Sequence, residues 1–397
     1  MKFRVERDVL GEAVSWVARS LPTRPVVPVL SGLLVQADAG GLTLSCFDYE
    51  VSARIEVAAE VGEPGVALVP GRLLAEIARS LPPAQVEVTS AADTIMLTCG
   101  SAEFALVSLA LDEYPRLPEL PRVVGTADGG ALAVAAAQVV PSASRDDTLP
   151  MLTGVCLDFD GDAITLAATD RYRMAVAKIG WDPVEDGISA TALVPARTLA
   201  DIAKSTGPGT PVTIAFSQPA AGDTRPADGM ISFAGGGRRL TARLIGGEFI
   251  KYESRFPAEY GCSAALPAGL FTEAVRRVSL VADRVSPVQL AFRPDTVVIE
   301  ARSDGRARAV ESVPCLLTGP EQTISFNPHY LLDGLAAAAL GAHGRAEAEG
   351  QNGGDAWRVR LDFTSPAKPA LITWAEGDQA DSAFRYLVVP LRAPAPA

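Results

Sequence analysis

The chain of 397 residues carries 35 lysines and arginines against 47 aspartates and glutamates, a formal net charge of −12. That length supports two to four domains with full cores, and that charge excludes a uniformly basic surface while allowing a basic stripe on an acidic body. Two histidines and five scattered cysteines with no CxxC pair exclude a zinc site or a disulfide frame, so the thiols are expected to be buried and reduced, as in a cytosolic protein. The opening MKFRVERDVL has no apolar leader and no run of about 18 apolar residues occurs, so neither export nor a membrane span is expected. Basic residues are mostly arginine, and with the abundance of Ala, Gly and Pro this points to a GC-rich source.

Leu10, Ala13, Val14 and Val17 recur at helical spacing and predict a helix over 8–21, capped by Asp8 and stopped by Pro22. Arg24-Pro25 follows in a proline-rich loop. A hairpin begins at Val29 (VLSGLLVQADAGGLTLSCFDYEVSA), and a strand over 66–69 leads into a helix over 72–81. Strands over 85–90, 94–99 and 103–109 precede EYPRLPELP (113–121), a proline-dense linker that closes a first block, 1–121.

The second block, 122–261, repeats that order. A helix over 130–140 is stopped by Pro141, and Arg145 sits in the next loop. The clearest hairpin follows in LPMLTGVCLDFDGDAITLAATDRYRM, with strands over 151–159 and 163–168 on either side of the turn pair Gly161-Asp162. Then come a strand over 192–194, a helix over 197–206, a polar loop at 217–229, strands over 230–234 and 238–245, and a linker at 248–261. The third block, 262–397, has a helix over 270–282, a hairpin from Pro287, a strand over 323–326 and a helix over 329–340. A Gly-rich insert at 346–355, three closing strands and the tail APAPA complete it.

One module is therefore used three times. In each copy an aspartate follows the hairpin's second strand: Asp48, Asp170 and Asp304. Only the middle copy continues as Arg171-Tyr172-Arg173-Met174. The second helices align as Val69-Pro70-Gly71-Arg72, Val194-Pro195-Ala196-Arg197 and Phe326-Asn327-Pro328-His329. Four residues on from the last of each stand Glu76, Asp201 and Asp333; seven on stand Arg79, Lys204 and Ala336. These positions share one helix face. Leu73, Leu74 and Ile77, and in the second copy Leu199, Ile202 and Ala203, are expected on the buried side. Each unit thus presents an exposed cationic stripe, weakest in the third, to which the loops after the first helices add Arg24, Arg145 and Arg284.

With MKFRVER, Arg24-Pro25 before Pro28-Val29-Leu30, RDDTLPMLTGV (145–155), ATDRYRMA (168–175) and YLVVPLR (386–392), the chain resembles the bacterial sliding clamp family, the β subunit of DNA polymerase III, from Met1 to Arg392. The resemblance implies an α+β fold of three clamp domains, each with two helices packed on antiparallel sheet. It implies a head-to-tail homodimer closed into a ring around duplex DNA. It also implies partners, namely the polymerase III alpha subunit, the clamp loader and other clamp-motif peptides, with no cofactor. Arg24, Arg72, Arg79, Arg145, Arg197, Lys204, Arg276 and Arg277 are the candidates for the DNA-facing wall, where phosphate contacts attract without reading sequence.

By the same resemblance the dimer interface takes Phe104, Leu106, Leu280 and Val281. A peptide pocket takes Leu152, Thr169, Arg171, Tyr172, Arg173, Met174, Ser254, Arg255, Leu387, Val389, Pro390, Leu391 and Arg392. Arg173 and Arg392 are expected to meet carbonyls or a carboxylate of the ligand. One rim position departs. Glu113-Tyr114-Pro115 in the first linker predicts proline where the second reads Glu248-Phe249-Ile250, and Arg171 stands where the family commonly has glycine or another small residue. Ile250 restores an N–H and adds a β-branched side chain. An alternative reading is therefore a specialised clamp copy whose pocket rejects a cyclic-peptide inhibitor. An enzyme is disfavoured: Asp146-Asp147 and Asp170 have no histidine or third carboxylate at motif spacing, and no P-loop, GxGxxG or GxSxG occurs.

Overall fold

A computed structural model describes residues 1–91, 93–217, 229–283, 286–303, 306–348, 358–376, 379–380 and 383–391, with backbone alone at 342–348, 376 and 379–380. Arg284, Asp304, Arg392 and the APAPA tail lie outside the described residues, as do most of the 217–229 loop and the 346–355 insert. Among the described residues there are six α-helices: α1 (Arg7–Ala18), α2 (Gly71–Ser80), α3 (Gly129–Val139), α4 (Ala196–Ala203), α5 (Ala268–Ser279) and α6 (Pro328–Ala348). None is long and apolar enough to cross a membrane.

The chain forms two compact units, one of Met1–Gly129 with Gly209–Leu244 and one of Gly130–Pro208 with Ile245–Ala397. Strand pairing is the physical reason that the middle block is shared between them. In the first unit Arg238–Arg243 hydrogen-bonds Val51–Val57 within the consecutive order Val123–Asp128, Pro211–Ser217, Met230–Gly235, Arg238–Arg243, Val51–Val57, Gly41–Phe47, Gly32–Asp38, Gly65–Pro70. In the second unit Phe384–Val388 pairs Arg173–Gly180 in the corresponding way. There the order is Ser189–Pro195, Gly154–Asp160, Ala163–Thr169, Arg173–Gly180, Phe384–Val388, Ala370–Glu376, Arg358–Phe363, Cys262–Pro267, Leu316–Thr318. A separate sheet in each unit ends on an exposed edge strand: Ala102–Val107 in the first, Ala307–Pro314 in the second.

The three hairpins form where turn chemistry and alternation place them. Gly161, at φ +56°, makes the tight link between Gly154–Asp160 and Ala163–Thr169. The first of these strands starts later than the predicted 151, because Pro150–Leu152 is a 3-10 turn headed by a residue with no N–H for the ladder. Helix α1 begins at Arg7, one residue before the prediction. Its cap position is Glu6, which makes no side-chain cap bond, and Asp8 instead lies in the first turn and pairs with Arg7. Helix α4 stops at Ala203, three residues short of the predicted end, whereas α6 runs on to Ala348. The last strand of the middle block ends at Arg243, two residues short.

Burial follows the amphipathic pattern with two exceptions. Leu74, Ile77, Leu199 and Ile202 are buried as expected. Leu73, placed on the buried side from sequence, is 47% exposed. Its position one residue after Arg72 rotates it to the flank of a helix that buries a narrow strip. Leu106, placed at the dimer interface, is 2% exposed and sits with Phe3, Leu10 and Val35 in the core of its own unit. On its strand the even positions face inward, and Leu106 is the one buried within that core rather than left at the surface. All five cysteines are free and buried. Burial pushes the Cys46 thiol up to about 12 and that of Cys315 up to about 11, which suppresses thiolate formation at neutral pH.

Candidate functional site

The turn that carries ATDRYRMA is built by Asp170. Its Oδ1 accepts from the N–H groups of Tyr172 and Arg173, each at 3.0 Å. Thr169 Oγ1 accepts from the Arg171 N–H at 3.1 Å and donates to the Arg173 carbonyl at 2.6 Å. This geometry forces Arg171 to φ +81°. The first unit builds the same turn with Asp48, whose Oδ1 accepts from Glu50 and Val51 N–H at 3.0 and 2.7 Å, and whose successor Tyr49 stands at φ +76°. These are the two non-glycine residues with positive φ among those described. The repeat deduced from sequence is thus reproduced down to a backbone conformation that disfavours side chains. Because a left-handed L-residue costs roughly 1–2 kcal/mol, Arg171→Gly is expected to raise unfolding free energy by up to about 1 kcal/mol after the larger chain entropy of glycine is set against it. Urea unfolding of both proteins measures it.

Beside this turn, in the second unit, lies a cleft of about 760 Å³. Leu152, Thr169, Arg171, Arg173 and Met174 form one side, with Leu387 from the strand Phe384–Val388 and Val389 just past its end. Ile250, Ser254 and Arg255 enter from the linker. The cleft therefore gathers ten of the pocket residues expected from sequence. Leu149, Met151 and Pro369 also line it and were missed. For the first two the apolar run LPML was a usable signal; Pro369 had none. Tyr172, Pro390 and Leu391 lie outside the lining. Tyr172 instead stacks on Tyr330 at 6.2 Å between ring centroids, and its carbonyl accepts from Val389 N–H at 2.9 Å. Leu391 is tied to the Ser325 carbonyl through its N–H at 2.8 Å.

The floor is apolar and continuous with a core cluster of Cys156, Met174, Val176, Leu193 and Leu387, on which Ile250 and Phe249 pack. Tyr252 fixes the linker there by donating to Asp158 at 2.6 Å; burial first, then this bond, push its hydroxyl pKa far up. The exposed cations on the rim are Arg171 and Arg255. Arg173 also lines the cleft, but its charge is already partnered within the chain. Its guanidinium is engaged by Asp170, Asp333 and the Pro141 carbonyl. Asp146, raised in the enzyme alternative, is a loop cap. Hydrogen bonds from Thr148 Oγ1 and N–H hold its carboxyl below the usual range. No cluster of three or more metal-ligating side chains occurs among the described residues.

The eight proposed DNA contacts are all exposed in their own units. Arg72 donates to the carbonyls of Leu21 and Pro22 at 3.2 Å, and Arg79 to that of Ala75 at 3.0 Å. Arg197 and Lys204 each stand 4.0 Å from the Asp201 carboxylate, the i,i+4 and i,i+3 pairs that the helix spacing predicts. Arg24 and Arg145 lie on exposed loops. Arg276 pairs with Glu273, and Arg277 with Glu311, whose hydrogen bond raises the pKa of Arg277. Of the other interface candidates, Phe104 is half-buried on the edge strand Ala102–Val107, Leu280 is 82% exposed just past α5, and Val281 is half-buried.

Residues 1–118, 128–251 and 253–341 match, in order, the N-terminal, central and C-terminal domains of the DNA polymerase III beta subunit. The chain is 48% identical to the beta sliding clamp of Streptomyces coelicolor over 394 residues, 99% of each chain. It is 42% identical to the beta sliding clamp homolog GriR of Streptomyces muensis over 394 residues, again 99% of each. In structure it resembles the Pseudomonas aeruginosa sliding clamp bound to griselimycin, with a TM-score of 0.85 at 24% identity, covering 99% of this chain and 100% of that one. The chain belongs to the DNA polymerase III beta subunit family, the bacterial sliding clamps, and is of actinobacterial type. Its fold is three clamp domains of helices and antiparallel sheet, and its function is that of a sliding clamp in DNA replication.

Proposed function

We propose that this chain acts in the cytoplasm as a non-catalytic, homodimeric ring that encircles duplex DNA and holds partner proteins through the cleft at Met174, Ile250 and Leu387. The three repeats, 1–121, 122–261 and 262–397, would each turn a cationic helix stripe toward the duplex. The observation that carries this is the recurrence of exposed cations opposite buried apolar residues: Arg72 and Arg79 over Leu74 and Ile77, Arg197 and Lys204 over Leu199 and Ile202. Duplex DNA carries one charge per about 1.7 Å of axis, so such a lining is attracted wherever it stands. Contacts to phosphate fix no register, and the ring slides. The two exposed sheet edges, Ala102–Val107 and Ala307–Pro314, supply unpaired backbone for head-to-tail closure. The polymerase III alpha subunit and the clamp loader are the partners this reading assigns to the apolar cleft. Loaded on nicked circular DNA, the protein is expected to stay bound through gel filtration and to be released when the circle is cut. Equal retention on cut and uncut DNA would overturn encirclement.

A second reading is favoured by one observation: Ile250 and Arg171, the two positions that depart from the family pattern, both line the cleft. In this reading the chain is a clamp copy that tolerates a cyclic-peptide inhibitor. Griselimycin is the probe, since the Pseudomonas aeruginosa clamp is seen with it bound. Ile250→Pro with Arg171→Gly is expected to bind griselimycin at least tenfold more tightly than the unaltered chain, a gain of about 1.4 kcal/mol. Equal affinities by calorimetry end the idea.

A further inference from the structure

Arg173 directs its guanidinium into the protein. Nε donates to Asp170 Oδ2 at 3.0 Å, Nη1 to Asp333 Oδ2, and Nη2 to the carbonyl of Pro141. The Tyr330 ring lies 4.6 Å from the cation. The side chains of Arg173 and Asp170 are 11% and 13% exposed. Burial opposes the charge, but Tyr386, Asp333 and Asp170 outweigh it and raise the pKa of Arg173, so the cation persists at every working pH.

The three acceptors belong to three separate elements. Asp170 closes the turn at the cleft wall, Asp333 is on α6, and Pro141 is in the 3-10 turn Val140–Ser142 that ends α3. A planar fork with five fixed donors on three nitrogens spans all three at once, whereas the three donors of a lysine ammonium radiate from a single nitrogen and do not span them. Asp170 uses one oxygen for the turn's backbone and the other for Arg173. The residue that shapes the cleft wall is therefore also the one that anchors it to α6. A second tie lies in the same junction: Gln138 on α3, buried, donates to the Ala337 carbonyl on α6 at 3.0 Å. Tyr330, whose ring neighbours both the Arg173 guanidinium and the Tyr172 ring, has its own carbonyl held by the Tyr386 hydroxyl at 2.7 Å.

We propose that Arg173 is a positioning residue for peptide recognition: by bridging Asp170 and Asp333 it sets the wall of the cleft, and it does not bind the peptide through its guanidinium. An anionic or carbonyl group of the ligand is met instead by the rim arginines, Arg171 and Arg255. This rests on reading the cleft as a peptide site, and the test separates the two.

The full-length protein is titrated by fluorescence anisotropy with two labelled hexapeptides. Both carry leucine and phenylalanine anchors; one has two aspartates, and the other has serines in their place. Arg173→Met and Asp333→Ala are each expected to weaken binding about tenfold, and together by little more than either alone, as for members of one network. The loss is the same for both peptides, and Asp333→Glu restores most of it. Asp333→Asn, which keeps size and one acceptor, is read in place of Asp333→Ala where circular dichroism shows the alanine variant unfolded. Full-strength binding by the Asp333 variants, or an Arg173→Met loss confined to the acidic peptide, means that Arg173 meets the ligand directly and overturns the proposal. If the unaltered protein binds neither peptide, the cleft reading itself falls, and this inference with it.

Discussion

Replacing Arg72, Arg79, Arg197 and Lys204 together by alanine is expected to flatten the salt dependence of DNA binding while leaving the ring able to close. Each lost phosphate contact lowers the slope of log affinity against log salt by about 0.9. In the proposed two-chain ring, four cations per chain make eight, so the slope falls by up to about 7 if all eight touch phosphate. Arg197 and Lys204 are expected to contribute more than Arg72 and Arg79. Their pairings with Asp201, at 4.0 Å and in solvent, are weak, and phosphate competes for them readily. Arg72 also holds the loop after α1 through the Leu21 and Pro22 carbonyls, so its loss loosens structure as well as charge. Filter binding across a salt series with linear duplex gives the slope. An unchanged slope would remove these helices from the DNA-facing wall.

The second large effect concerns Gly334. Glycine in a helix interior costs about 1 kcal/mol relative to alanine, so Gly334→Ala would be stabilising on propensity alone. Packing reverses the sign. A Cβ at this position would meet the Tyr386 ring at 2.6 Å and Ile372 at 3.1 Å. Tyr386 is 1% exposed and tethered through its hydroxyl to Tyr330, so it has nowhere to go. Overpacking of this kind costs about 1–3 kcal/mol for small intrusions, and Gly334→Leu exceeds that. We expect Gly334→Ala to lower the urea midpoint modestly and Gly334→Leu to lower it sharply. Because Tyr330 and Asp333 ride on the displaced helix, peptide binding falls with it. A leucine variant as stable as the parent would show that α6 is not seated against Phe384–Val388 as described.

Much of this architecture could be read before any coordinates. The Gly161-Asp162 turn between alternating runs is a local signal, and so is the helical recurrence of Leu10, Val14 and Val17. The threefold aspartate after each hairpin was legible because a turn of that geometry needs a short acceptor at that one place, and Asp48 and Asp170 fill it identically. The cleft was only partly legible. Its walls come from five separate segments, and nothing local marks Pro369 as a neighbour of Met174. The direction of Arg173 was not legible either. Sequence gives a cation beside Asp170, but its inward turn depends on Asp333, 160 residues away. Leu73 and Leu106 failed for related reasons. A helix period does not fix the width of the buried strip, and strand alternation does not say which side of a sheet meets its own core.

The pairing of Val51–Val57 with Arg238–Arg243 has a consequence for how the chain comes apart. Five consecutive residue pairs, from Ile55 with Arg238 to Val51 with Ala242, join the first block to the middle one by main-chain bonds. The peptide between them is redundant as a tether. A trypsin nick after the exposed Arg116 should leave both fragments co-migrating on a native gel, separating only in denaturant.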